Sequence, residues 1–583
     1  MNTSTLPSST LVRKPETVLK QVFGYSEFRD GQKAVIDAAL NAQDTLVLLP
    51  TGGGKSVCYQ IPALVLEGVT IVISPLISLM QDQVAQLQAL GVKAAYVNNS
   101  LAREEQQRVY QQLHQGLIKL LYVAPEKVLQ RDFLERLSHL KISLFAIDEA
   151  HCVSHWGHDF RPAYKKISEF REILPDVSIL ALTATANSNV IDDIQKSLKF
   201  NSSNIIKSSL IRPKLSYVVD DIIDKRKRLI KLLNKIKSSV IIYVDTRRKS
   251  EEISLFLNNE GFTSSFYHAG VHPDDRTKRQ LSWSNNETRI IVATNSFGMG
   301  IDKPDVKLVV HMHMPSSIES YFQEAGRAGR NGETAFSFLL ANKNDITKQE
   351  NLLQTKYPDI DYVINIYQNI SSYLQIAVGD NIHENLAFDI EKFAKRYGHS
   401  TLQVYYSIKY LEKEELLKFS DESFSKSRFK FIKTNNELYK FQISNRYFDS
   451  FIRVLLRTYI NAYNNFVAVD IISLAKKTNS NTDKILILFN KLKELEIIDF
   501  QEENNDPKIE YLRNRLDLNI NFFNKDKLES RKSFDSKKLN SISSYILNKS
   551  LCRSSMLLEY FGEITDKDCG VCDVCVIKKR SSI

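Results

Sequence analysis

Three short stretches of this chain carry side chains suited to chemistry. Toward one end, Cys569-Gly570-Val571-Cys572-Asp573-Val574-Cys575 sets three cysteines two residues apart, with Cys552 upstream. Tight C-x-x-C turns present soft thiolates from short loops, and four thiolates meet the tetrahedral demand of Zn²⁺. Toward the other end, Thr51-Gly52-Gly53-Gly54-Lys55-Ser56 follows an apolar run. A turn of this kind wraps phosphates with backbone N–H groups, and a helix opening behind it adds a favourable dipole. Lys55 suits the β- and γ-phosphates and Ser56 suits Mg²⁺. Leu49 occupies the first glycine position of the strict G-x-x-x-x-G-K pattern. Downstream, Asp148-Glu149-Ala150-His151 closes another apolar run, and open α/β sheets bind ligands at such strand ends. Asp148 fits the Mg²⁺ shell, and Glu149 fits the orientation and deprotonation of an attacking water.

These stretches need elements to position them. Short apolar runs at Thr45–Leu49, Thr70–Ile73, Leu144–Ile147, Val240–Val244 and Arg289–Ala293 alternate with longer amphipathic stretches. They read as strands buried on both faces, which predicts parallel sheets covered by helices. The pattern restarts after Arg212-Pro213, predicting two α/β domains in tandem: 1–208, carrying the phosphate loop and the acid pair, then 209–342. Beyond residue 343, helical stretches rich in Lys, Asn, Ile and Tyr take over. Phe388–Phe419 and Val469–Phe500 each read as a helix-turn-helix ending in a short strand, as in a winged helix. A helical and winged-helix-like region is thus predicted over 343–545, and a zinc element over 546–583. Arg428 to Phe431 alternates cationic and aromatic residues, making Phe419–Phe441 a candidate hairpin; an ordinary half-buried strand alternates in the same way.

The chain has 583 residues and a net charge of +10. This length predicts several cores, and the charge leans toward a polyanionic partner. No apolar run approaches the roughly 20 residues of a membrane helix, and the first residues do not read as a signal peptide. Cys58 and Cys152 stand alone beside the nucleotide motifs, which fits a reducing cytosol. Composition shifts near residue 165, inside the first α/β domain, without a physical reason.

Further stretches, Ser74–Val84, Tyr122–Glu126 and Ala181–Ala186, also follow or overlap strand candidates. With them the chain resembles the RecQ family of DNA helicases. Many helicases carry T-G-x-G-K-[ST], so Leu49 is compatible with the resemblance. Phe23–Gln32 resembles the family's motif 0, which implies that Tyr25, Arg29 and Gln32 frame the adenine. Trp156–Pro162 is similar to the aromatic-rich loop coupling DNA to hydrolysis, through Trp156, His158, Phe160 and Arg161. Ala293–Asp302 resembles motif V, and Gln323–Gly332 resembles motif VI. The latter implies Gln323 at the catalytic site, Arg330 as the finger and Arg327 as its support, on one face if helical. His268 and Thr294 resemble positions that approach the DNA backbone.

The resemblance implies two RecA-like domains, then accessory domains and the zinc element of Cys552, Cys569, Cys572 and Cys575. Known members place that element directly after the motor; here both winged-helix-like segments come first, and no HRDC module is expected. Implied cofactors are ATP, Mg²⁺ and Zn²⁺. Implied partners are single-stranded and duplex DNA and a single-strand-binding protein, with no membrane. The implied activity is ATP-driven unwinding in the 3′ to 5′ direction, in repair and recombination, in a bacterial cytoplasm at the nucleoid. An RNA helicase of the same superfamily and a DNA-binding regulator with a degenerate motor are the alternatives.

Overall fold

The computed structural model describes residues 14–581 other than 99–100, 102, 129, 155–160, 299–302, 381–384, 421–426, 464–465, 502–506 and 520–521. Two parallel sheets dominate its first part. The first comprises β1 (Thr45–Leu48), β2 (Val69–Ile73), β3 (Ala94–Val97), β4 (Leu120–Val123), β5 (Ile142–Ile147), β6 (Ile179–Thr183) and β7 (Ile205–Lys207). Its order is β3-β4-β2-β5-β6-β1-β7. The second comprises β8 (Leu215–Asp220), β9 (Ser239–Tyr243), β10 (Ser264–Tyr267), β11 (Ile290–Ala293), β12 (Val306–His311) and β13 (Ala335–Leu340), in the order β10-β11-β9-β12-β13-β8.

The apolar runs explain the architecture. β1, β2, β4, β9 and β11 are buried along their whole length, because helices cover both faces of a parallel sheet. Alternate residues of β1 enter different cores: Leu46 and Leu48 pack with Ile147 and Ala181, while Val47 packs with Leu180 and Tyr59. The order β5-β6-β1 sets three strand ends side by side, so the loops after Leu48, Ile147 and Thr183 share one edge of the sheet.

Residues up to Glu350 together with Phe534–Ile583 form one compact unit, and Asn351–Ser533 form another. The cysteine-bearing end therefore belongs with the two parallel sheets, although the second unit intervenes in the chain. That second unit holds two small antiparallel sheets, each associated with a helical pair. β14 (Leu386–Ala387) and β15 (Leu417–Ser420) flank β19 (Lys508–Tyr511), around the helices Ile390–Tyr397 and Thr401–Lys413. β17 (Val467–Ala468) and β18 (Ile498–Gln501) flank β16 (Arg428–Phe431), beside the helices Ile471–Lys477 and Thr482–Glu494. The fold is therefore two parallel α/β sheets, a helical and winged-helix region, and a four-cysteine cluster.

The candidate hairpin does not form. β15 and β16 lie in different sheets, and Asn435–Ser444 is helical. Phe429 and Phe431 are buried against Phe489 and Tyr463, so the alternation records a core-facing strand.

Candidate nucleotide cleft and zinc element

A cleft of about 560 Å³ opens at the β5-β6-β1 edge. Tyr25, Arg29, Gln32, Thr51, Gly52, Gly54, Lys55, Ser56, Asp148 and Glu149 line it from the first sheet's lobe; Gln323, Arg327 and Arg330 line it from the second.

The phosphate turn is held from behind. Arg29 Nη1 donates to Gly52 O, and Gln32 Nε2 donates to Gly53 O at 3.2 Å and Gly54 O at 3.1 Å. Gly54 has φ +76, and a Cβ there would lie 2.3 Å from Gln32 Nε2. That backbone favours glycine, and a Cβ would have to displace the Gln32 amide that holds the turn. The helix Val57–Val65 starts directly behind Ser56, giving the dipole geometry of an anion site. Thr51 Oγ1 is buried with no hydrogen-bond partner among the described residues, a donor suited to a phosphate oxygen.

Charge in the cleft is concentrated. Burial lowers the proton affinity of Lys55, against the pull of Glu149 and Asp148. Burial, then Glu149, pushes the Asp148 carboxyl up to about 7, and Lys55 opposes the rise. A hard divalent cation would reverse that balance, so the donor set of Ser56 and Asp148 fits Mg²⁺. Glu149 takes left-handed backbone (φ 49), and its N–H donates to Asp148 Oδ1 at 3.0 Å. His151 Nδ1 lies 3.3 Å from Glu149 Oε2 and 2.9 Å from Thr183 Oγ1, linking the ends of β5 and β6.

Across the cleft, the helix Ile318–Ala325 ends at Gly326. Arg327 and Arg330 lie in the turns that follow, so the helical condition for a shared face is not met. Both still reach the cleft; Gly329 between them takes left-handed backbone (φ +66). A Cβ at Gly52 would lie 3.3 Å from Arg330 Cγ, and one at Gly298 would lie 2.7 Å from Arg327 Nη2.

Of the remaining expected positions, Arg161, His268 and Thr294 are not among the residues lining the cleft. Trp156, His158 and Phe160 fall outside the described residues. Arg161 Nη1 donates to Pro75 O at 2.7 Å. His268 and Thr294 follow the adjacent strands β10 and β11 and are buried; His268 Nε2 meets Glu251 Oε1 at 2.9 Å. Motif reading missed Arg212, which contacts both lobes, and Glu563, which accepts from Ser209 Oγ at 2.5 Å and Leu210 N at 2.8 Å. An arginine before proline between two strand patterns was the available signal for Arg212; Glu563 had none.

The four sulfurs of Cys552, Cys569, Cys572 and Cys575 lie within 4.8 Å of one another. Cys569 and Cys575 are separated by 3.9 Å, far beyond a disulfide's roughly 2.05 Å and near the ~3.8 Å expected between thiolates around tetrahedral zinc. Backbone N–H groups of Arg553, Cys569, Cys572 and Cys575 point at these sulfurs, as suits thiolate ligands. Buried Arg553 pairs with Asp573 at 3.1 Å, and Asp573 Oδ2 accepts from Val219 N of β8 at 3.1 Å. Tyr560 donates to Glu319 at 2.8 Å, and Phe561 packs on Phe322 at 5.0 Å. The cluster is thus docked on the second lobe. Removing one member of the buried Arg553–Asp573 pair would cost about 3–5 kcal/mol.

Fold and site together define a two-lobed α/β protein with a cleft suited to a nucleotide and a docked four-cysteine element. The comparisons narrow the class. The chain matches the DEAD/DEAH box helicase family over residues 29–194 and the helicase conserved C-terminal domain over 224–332. It matches the RecQ helicase winged-helix domain of Bacteroidota over 429–502 and the RecQ zinc-binding family over 511–576. It is 45% identical over 352 residues to the ATP-dependent DNA helicase RecQ of Haemophilus influenzae, covering 60% of this chain and 57% of that protein. It is 46% identical over 340 residues to the RecQ of Pasteurella multocida, covering 58% and 54%. To the probable ATP-dependent DNA helicase RecS of Bacillus subtilis it is 41% identical over 348 residues, covering 58% and 69%. The chain belongs to the RecQ family of DNA helicases. Its matches to the two RecQ relatives span little more than half of their length.

Proposed function

We propose that this protein is an ATP-dependent DNA helicase that unwinds duplex DNA in the 3′ to 5′ direction and serves repair and recombination in a bacterial cytoplasm, at the nucleoid. In this reading residues 1–208 bind ATP, 209–342 supply the arginines, 343–545 hold DNA, and 546–583 form the zinc element. The observation that carries it is the approach of Arg330, from the second lobe, to Gly52 of the phosphate turn on the first.

Tyr25, Arg29 and Gln32 flank the adenine, while the backbone of Thr51–Ser56 and Lys55 take the phosphates. Ser56 and Asp148 would hold Mg²⁺, which would supply charge neutralisation at the phosphates. Glu149 accepts the proton of the attacking water. Gln323 orients the phosphate side, and Arg330, supported by Arg327, offsets charge building on the γ-phosphate. Because acids and arginines belong to different lobes, hydrolysis requires closure, and product release permits reopening. Coupling that cycle to single-stranded DNA through the loop at Trp156–Arg161, with His268 and Thr294 toward the backbone, makes each turnover a step. A single-strand-binding protein is the expected companion on the released strand.

The test is strand displacement on forked and tailed duplexes of both polarities, with ATPase stimulation by matched DNA and RNA strands. ATP-dependent unwinding from a 3′ tail supports the proposal. Stimulation by RNA alone, or no turnover with either strand, overturns it.

A further inference from the structure

Arg212 belongs to none of the motifs above. It lies between β7 and β8, on the stretch joining the lobes, and precedes Pro213, which biases it toward extended backbone. Its guanidinium donates to four backbone carbonyls. Nη1 reaches Thr51 O at 3.4 Å and Gly326 O at 3.2 Å; Nη2 reaches Ala328 O at 2.8 Å and Gly329 O at 3.1 Å. Thr51 opens the phosphate turn. Gly326, Ala328 and Gly329 belong to the turns that project Arg327 and Arg330. One linker side chain is therefore fastened to both walls of the nucleotide cleft, while standing outside the residues that line it.

The chemistry of the contact is specific. These four acceptors are backbone carbonyls, so geometry governs the contact, not ion pairing. A guanidinium offers a rigid fork of donors that can serve four acceptors in fixed directions; an ammonium of similar reach cannot. The three bonds to the second lobe are shorter than the one to Thr51. Three of its four acceptors thus belong to the arginine-bearing turn and one to the phosphate turn.

We propose that Arg212 is a positioning residue for ATP hydrolysis: it sets the turn 326–329 against Thr51 and so holds Arg330 over the phosphate cradle on closure. It acts through Arg330 and touches no nucleotide. This rests on the ATP-driven reading given above.

The experiment uses the full chain and measures ATP hydrolysis stimulated by an oligo-dT single strand. The variants are Arg212→Ala, Arg212→Lys, Arg330→Ala and the two Arg212 changes combined with Arg330→Ala. Both single Arg212 variants should lower kcat at least about tenfold, with KM for ATP within about threefold of wild type. Melting temperature and zinc content should stay at wild-type values. Each double variant should be no slower than Arg330→Ala alone, because a residue acting through Arg330 has nothing left to position. Millimolar guanidinium should restore part of the Arg212→Ala rate only while Arg330 is present. A kcat within about twofold of wild type, or losses that multiply in the double variants, would overturn the inference. If Arg212→Ala fails to fold, the lysine pair decides by the same criteria. A wild-type chain that hydrolyses no ATP overturns this inference and the proposed function together; an active wild type with indifferent Arg212 variants overturns this inference alone.

Discussion

The nucleotide cleft and the cysteine cluster both draw ligating groups from short turns, yet they are built on opposite plans. The cluster takes four sulfurs from one local stretch, and four donors complete a tetrahedron. The cleft divides its charged groups between two lobes and keeps Thr51 Oγ1 buried with no hydrogen-bond partner among the described residues. A site complete within itself can serve folding. A site completed only by the approach of a second body can be made and unmade with each turnover. The zinc element is also docked on the lobe that carries the arginines, through Asp573 to Val219 and Tyr560 to Glu319, so its stability underlies the geometry of the cleft.

The sharpest way to break this contrast is Cys572→Ser. Structural zinc contributes on the order of 10–16 kcal/mol of apparent binding energy, comparable with a domain's whole stability of about 5–15 kcal/mol. Zinc content by elemental analysis, soluble yield and melting temperature should fall together; metal loss at unchanged melting temperature would mean that the cluster is not structural. Arg330→Ala should do the reverse. ATP affinity and melting temperature should hold, while DNA-stimulated hydrolysis drops by about 10³-fold; normal turnover would remove the finger from the mechanism.

Gly298→Ala tests the supporting arginine. The new Cβ would lie 2.7 Å from Arg327 Nη2 and must displace it. A kcat reduced about tenfold at unchanged ATP affinity is expected, with calorimetry reporting whether the fold has suffered instead. The smallest effect concerns acidity. With Asp148 raised to about 7, protons compete with Mg²⁺ below that pH. The half-saturating Mg²⁺ for hydrolysis should therefore rise, by roughly three- to tenfold between pH 7.5 and 6. A flat Mg²⁺ requirement across that range would show Asp148 already ionised.

Legibility differed with the range of the contacts involved. The apolar runs marked β1, β2, β5, β9 and β11 because strands buried on two faces lose their alternation, as in β1 and β9. The cysteine set was legible from spacing alone. The hairpin reading at Phe419–Phe441 failed because alternation at Phe429 and Phe431 records which face is buried, not which strand is the neighbour; β16 pairs with β17 and β18 instead. Arg327 and Arg330 were marked as a pair, but the turn that carries them, with Gly329 at positive φ and two carbonyls accepting from Arg212, was not.

By itself the sequence determined the groups available: glycines that admit phosphate, an acid pair at a strand end, four thiols at metal spacing. These are local properties, set by residue type and by separations of a few positions. Only the tertiary structure decided which groups meet. It brought Arg330 to Gly52, bound the lobe-joining arginine to both sides of the cleft, and returned the four-cysteine element to the two parallel sheets after a separate unit had intervened in the chain. Contacts between distant segments depend on the burial of whole faces and on sheet order, which no short stretch encodes.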